Sequence, residues 1–157
     1  IAVKVFNLSP TIMGIYLAFP ALGYVLGNIL VSKIANLVST KKLMVLGSLI
    51  LFLGPCFSLL LSNFFLHPLS FFLPILIMTF GSGIIWPASN AEIVKAIPHL
   101  AGSASGLGSA IMTLMSSFAA FLTGIYIEES NPMDFVCYFL ILVGLLSFFS
   151  SLCSRSK

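Results

Sequence analysis

The chain has 157 residues, of which 59% are hydrophobic and only 7% charged, and its formal net charge is +3. A water-soluble domain normally carries about a quarter charged residues, so this chain has too few to cover a solvated surface. Its apolar residues also fall in blocks of membrane length, which argues against an unusually greasy soluble core.

Five blocks follow in chain order, each free of charge. Thr11–Val31 comes first and carries Tyr16, Pro20, Tyr24 and Asn28. Leu43–Ser62 is apolar apart from irregularities at Pro55 and Ser58. Leu69–Ala91 contains Pro74, then gathers Gly81, Gly83, Trp86, Pro87 and Asn90 near its end. Ser103–Ile127 is rich in small residues. Phe135–Cys153 is apolar almost all round until Ser147, Ser150 and Ser151. Each block is close to the ~20 residues that cross a ~30 Å hydrocarbon core as helix. Lipid offers peptide groups no partners, so the blocks must be helices that satisfy their own backbone. Internal prolines, which would break soluble helices, are tolerated in a membrane bundle. The alternation of a membrane barrel is absent. The expected fold is an all-α membrane protein with five transmembrane helices, near 11–31, 43–62, 69–91, 103–127 and 135–153.

The fourth helix has two contrasting rows. Stepping by four and three gives Gly102, Gly106, Ser109, Thr113, Ser116, Ala120 and Thr123, all small. The same stepping from Leu107 gives Ile111, Leu114, Phe118, Phe121 and Ile125, all bulky. At 100° per residue the rows lie about half a turn apart. The bulky row suits lipid. The small row lets another backbone approach closely, as plain helix packing or as a sliding contact between domains. Helices two and five show no such split and read as peripheral; one, three and four read as inner.

The connectors sort by sign. Lys33, Lys41, Lys42, Lys95, Arg155 and Lys157 fall on one side if every block crosses, against Lys4 alone with Glu128, Glu129 and Asp134 on the other. This positive-inside pattern predicts a cytoplasmic C-terminus and an external N-terminus. The net positive charge thus speaks of orientation and inner-leaflet contact rather than nucleic acid. An external start that opens on Ile1 implies at least one helix upstream, so the chain reads as the C-terminal piece of a larger membrane protein.

Chemistry-bearing motifs are few. Cys56, Cys137 and Cys153 fit neither a zinc site nor a disulfide framework and read as small buried residues. His67 and His99 sit in connectors beside prolines. No hydrolase, protease or phosphate-loop pattern occurs, and no carboxylate pair lies within a block. Enzyme, metal and cofactor readings therefore have nothing to stand on. The polar cluster WPASNAE, residues 86–92, stands out instead. Trp86 and Asn90 are one turn apart and share a face, and the indole offers a flat apolar surface with one N–H donor, suited to an aromatic or cationic solute. Tyr16 and Thr113 join them as candidate lining of a solute path. Two other readings compete: Trp86 as an interfacial belt residue, and Asn90 and Glu92 as the end of the helix. Glu92 and Lys95, three apart, can form a neutralised pair.

The stretch GSGIIWPASNAEIVKAIPHLAGSASGLGSA, residues 81–110, resembles the tenth helix, loop and eleventh helix of major facilitator superfamily drug exporters, nearest the Bcr/CflA type of drug:proton antiporter. NLSPTIMGIYLAF, residues 7–19, resembles that branch's entry to helix eight. GNILVSKIANLVSTKKLMVLG, residues 27–47, resembles its loop between helices eight and nine, without the acidic residue of the superfamily's loop motif. The resemblance implies helices 8–12 of a twelve-helix fold, with the N-terminal half and helix seven elsewhere. It implies efflux of drugs or other small solutes across the inner (cytoplasmic) membrane, coupled to proton entry through carboxylates of the N-terminal half. Gly102, Gly106, Ser109, Ser116 and Ala120 would then form the interface with that half. The expected partners are the lipid bilayer, the missing half, a small-molecule solute and a proton, with no nucleic acid. A split or decayed product, acting only as a membrane packing subunit or inactive, remains the alternative.

Overall fold

A computed structural model describes residues 9–62, 64, 67–126 and 132–153. The expected charges of Lys4, Glu128, Glu129, Arg155 and Lys157, and the side chain of Asp134, lie outside the described residues. Five long helices carry the chain: α1 (Pro10–Ile34), α2 (Thr40–Ser62), α3 (Pro68–Ala96), α4 (Ala101–Tyr126) and α5 (Pro132–Cys153), with one short 3₁₀ turn at Pro98–Leu100. All five are long and apolar enough to cross a membrane, and no strand occurs among the described residues. The fold class is the expected one.

Local chemistry sets the helix ends. Ser9 caps α1, its side chain accepting from the Ile12 N–H at 3.4 Å, and Pro10 opens the first turn, where its missing N–H costs nothing. His67 caps α3: its Nδ1 accepts from Leu69 N–H at 3.2 Å, so this histidine has a structural role that its loop position does not suggest. α3 ends because Pro98 pushes Ile97 out of the helical region, to φ −138° and ψ 72°. The helix therefore continues five residues past the expected end at Ala91, and Asn90 and Glu92 lie within it rather than terminating it. Pro20, Pro55, Pro74 and Pro87 all lie inside unbroken helices.

α3 is the centre of the bundle, with α1 on one flank and α2 on another, while α5 docks on the far side of α2. Glycines make these approaches possible. A Cβ on Gly23, Gly27 or Gly83 would lie 2.3 Å from the carbonyl oxygen of Leu76, Phe80 or Tyr24 respectively. On the other flank, a Cβ on Gly81 would lie 2.5 Å from the Gly47 carbonyl oxygen, and one on Gly54 2.9 Å from that of Pro74. Backbone thus packs on backbone, with glycine Cα–H groups pointing at carbonyl oxygens. Two apolar clusters fill the spaces left. Val31, Leu43, Ile84 and Ala88 close the lysine-rich end, while Phe71 and Phe72 close the other with Tyr16 and Val136.

α2 packs on α3 along one side and on α5 along another, while Leu46, Leu49, Leu53, Phe57 and Leu60 form an exposed apolar stripe on its outer face. Polar and small-residue packing makes the joint with α5: Ser48 Oγ lies 2.9 Å from Ser151 Oγ with both serines buried, Cys137 Sγ donates to Ser58 Oγ at 3.7 Å, and Gly144 rests against Phe52. Of the three cysteines, only Cys137 is buried; Cys56 is half-buried and Cys153 exposed.

α4 stands nearly apart from the rest. Gly102, Gly106 and Gly124 have nothing within 4 Å of a built Cβ, and Leu107, Leu114, Phe118 and Phe121 are all exposed. Among the described residues the small row is exposed from Gly102 to Ala120, with Thr123 alone half-buried, and the bulky row is exposed throughout. A third face, through Ala104 and Gly108 and roughly a quarter turn from each row, turns toward α3. Simple packing within these five helices therefore does not account for the small row.

Candidate functional site

Trp86 lies ten residues before the end of α3, roughly 15 Å along its axis and roughly 9 Å below Glu92. At 29 residues α3 exceeds the ~30 Å of hydrocarbon, so its polar last turns can reach the headgroups while Trp86 stays deeper.

Positions 82, 86, 89, 90 and 93 recur at helical spacing, so Ser82, Trp86, Ser89, Asn90 and Ile93 share one face of α3. This face floors a cleft of about 330 Å³. Leu51 of α2 and Val143 and Ser147 of α5 form one wall, and Gly108 and Met112 of α4 the other. The closest approach of Gly108 is to Ile93, whose Cδ1 lies 3.8 Å from a built Cβ. The cleft is thus mostly apolar, with an indole, an amide and three hydroxyls, and among the described residues no charged side chain lines it.

Of the four residues expected to share a path, Trp86 and Asn90 come together and the other two do not. Tyr16 stacks on Phe72 with centroids 5.0 Å apart, and Phe72 is about 21 Å from Trp86 along α3. Thr113 lies on the exposed side of α4 and donates to the Ser109 carbonyl at 2.9 Å. The α4 hydroxyls of Ser109, Ser116 and Thr123 likewise donate to carbonyls one turn back, which hides their polarity from an apolar neighbour. Ser82, Ser89 and Ser147 were missed as site residues. Ser82 and Ser89 were legible from their spacing to Trp86; Ser147 required knowing that α5 lies across the cleft.

Beyond the cleft, Lys95 Nζ donates to Thr40 Oγ1 at 2.9 Å and pairs with Glu92 Oε1 at 3.3 Å. The expected neutralised pair is formed, and it also ties the end of α3 to the first turn of α2. Both charged side chains are well exposed, so the pair contributes little stability. Among the described residues no cluster of three or more His, Cys, Asp or Glu side chains is placed to hold a metal ion.

A second, shallow depression between α1 and α3 is lined by Asn28 and Pro87, among others. Asn28 spends its amide on the Tyr24 carbonyl at 2.9 Å, so the cleft at Trp86 is the better candidate site. Comparison with known families gives one match, to the model described as Major Facilitator Superfamily, over residues 1–155. No curated protein and no solved structure matches the chain.

Proposed function

Because the chain belongs to the major facilitator superfamily of membrane transporters, we propose that it supplies helices 8–12 of a twelve-helix exporter of drugs or other small solutes. Export would run outward across the inner membrane against proton entry. The lysine-rich end, with Lys33, Lys41, Lys42 and Lys95, faces the cytoplasm by the positive-inside rule. The small row of α4, Gly102, Gly106, Ser109, Ser116 and Ala120, receives the N-terminal half. Support for that placement is the absence of any neighbour within 4 Å of Gly102 and Gly106 among the described residues. The only acidic side chain among the described residues, Glu92, is already paired with Lys95, so coupling carboxylates belong to the other half.

The observation that carries the reading is the cleft that brings Trp86 and Asn90 together below the cytoplasmic end of α3. An indole face and an uncommitted amide at membrane depth fit contact with a passing solute. The test is made in the whole transporter against several structurally unrelated drugs. Trp86→Ala and Asn90→Ala change resistance unevenly from drug to drug at constant expression. A uniform loss that follows protein level would mean that the stretch only holds the helix in place.

A further inference from the structure

Hydroxyls elsewhere in the bundle are largely committed. Those of Ser48, Thr79, Ser109, Thr113 and Thr123 each reach a carbonyl of their own helix. Of the described residues that line the cleft, only Ser82 does the same, donating to the Met78 carbonyl at 3.4 Å. Among the described residues none hydrogen-bonds the side chains of Trp86, Ser89, Asn90 or Ser147, although all four are half-buried around one space. An unpaired polar group at hydrocarbon depth is costly, so these donors and acceptors favour an occupant with polar groups of its own. Among the described residues no Asp, Glu, Lys or Arg lines the space, and Glu92 is held by Lys95. A charged occupant would find no counter-charge there.

We propose that this cleft binds an uncharged amphiphile, of one or two rings, carrying a hydroxyl or carbonyl group. Its apolar body lies against Trp86, and its polar group turns toward Asn90 and the serines. A volume of about 330 Å³ is at the small end of the ~300–1,000 Å³ usual for ligand pockets, which limits the occupant's size. Entry is along the seam between α4 and α5. The α2–α5 wall is closed by the Ser48–Ser151 contact, whereas α4 touches α5 only briefly. A neutral solute dissolved in the bilayer reaches that seam without crossing water. For its role in transport the inference rests on the reading of Trp86 and Asn90 as solute-path residues; binding itself does not require that reading. It replaces the aromatic-or-cationic expectation from the indole alone with a neutral class.

Trp86 is the only tryptophan of the chain, so its emission reports occupancy directly. The 157-residue chain is reconstituted in lipid nanodiscs and titrated with dibromobenzyl alcohol or with dibromobenzyl trimethylammonium, whose bromines quench indole on contact. The alcohol gives saturable quenching, with an affinity at least about tenfold above that of the ammonium compound. Gly108→Leu fills the cleft from α4 and removes the saturable component while helical circular dichroism is unchanged. Ser147→Leu, from the opposite wall, replaces it if helicity falls. Quenching that never saturates, and is the same in the filled variants, would show Trp86 to be merely lipid-exposed and would overturn the site. Equal or tighter binding of the ammonium compound would overturn the ligand class. Saturable, neutral-selective binding combined with unchanged drug resistance of Trp86→Ala in the transporter would keep the cleft and remove it from the solute path. Uneven drug resistance without saturable quenching would keep the path and overturn this proposal.

Discussion

Gly83→Ala tests the backbone packing on which the bundle depends. The added Cβ would sit 2.3 Å from the Tyr24 carbonyl oxygen, whereas ordinary contact begins at 3.4 Å. The obstacle is backbone, so no side-chain rotation relieves it. α1 and α3 must part by about 1 Å, a gap that forfeits roughly a quarter to a half of each affected dispersion contact. Gly23 and Gly27 approach α3 equally closely and lose contact with it. Overpacking of this kind costs up to about 3 kcal/mol, and replacing a helical glycine by alanine returns about 1 kcal/mol. The net expectation is a loss of up to about 2 kcal/mol. Gly106→Ala is the matched control, because its Cβ meets nothing within 4 Å. With no obstacle to offset the helix-propensity gain, its stability should rise by up to about 1 kcal/mol. The assay is reversible unfolding by sodium dodecyl sulfate in mixed micelles, followed by far-ultraviolet circular dichroism. Equal midpoints for the two variants would refute the claim that α1 and α3 are held by glycine-mediated backbone contact.

The Ser48–Ser151 contact has two hydroxyl protons for three close acceptor relationships, since each serine also reaches a carbonyl of its own helix. A double-mutant cycle with alanine should therefore give a coupling of only about 0.6 kcal/mol in the same unfolding assay, and a value near zero would assign the α2–α5 joint to Gly144 and Cys137 instead. Gly106→Leu should leave the 157-residue chain as stable as the wild type. In the whole transporter it should lower folded yield or export by the equivalent of ~1–3 kcal/mol, whereas Leu107→Ala is milder; equal losses for both would show that the small row of α4 contacts nothing special. Cysteine reporters in a Cys-free background at Ser39 and His99 should label only after permeabilisation, and one at Ser130 from outside. External labelling of Ser39 would reverse the orientation.

How much was legible in the sequence follows from what acts locally. The five helices were readable because the bilayer imposes a length and a composition on each span separately, and no neighbour is needed to meet either condition. The Glu92–Lys95 pair was readable because its partners are one turn apart. The end of α3 was misplaced by five residues: polarity at Asn90 and Glu92 suggested a boundary, but the helix runs until Pro98 removes the possibility of continuing. The face shared by Trp86 and Asn90 was visible from spacing alone, and Ser82 and Ser89 belong to the same periodic series.

What only the tertiary structure decided is which faces meet. Tyr16 had the composition of a path residue, yet its ring stacks on Phe72 at the other end of the bundle. α2 keeps the exposed apolar stripe of a peripheral helix, but which of its other faces meets α3, through Gly47 and Gly54, and which meets α5, through Ser48, shows only in the fold. Period separates two rows on α4, and among the described residues both are exposed along nearly their whole length. In lipid an apolar side chain gains little by leaving its surroundings, so hydrophobicity does not select a packing face as it does in water. The selection falls to close backbone fit and to hydroxyl pairs between distant helices, and neither has a period that a single segment can display.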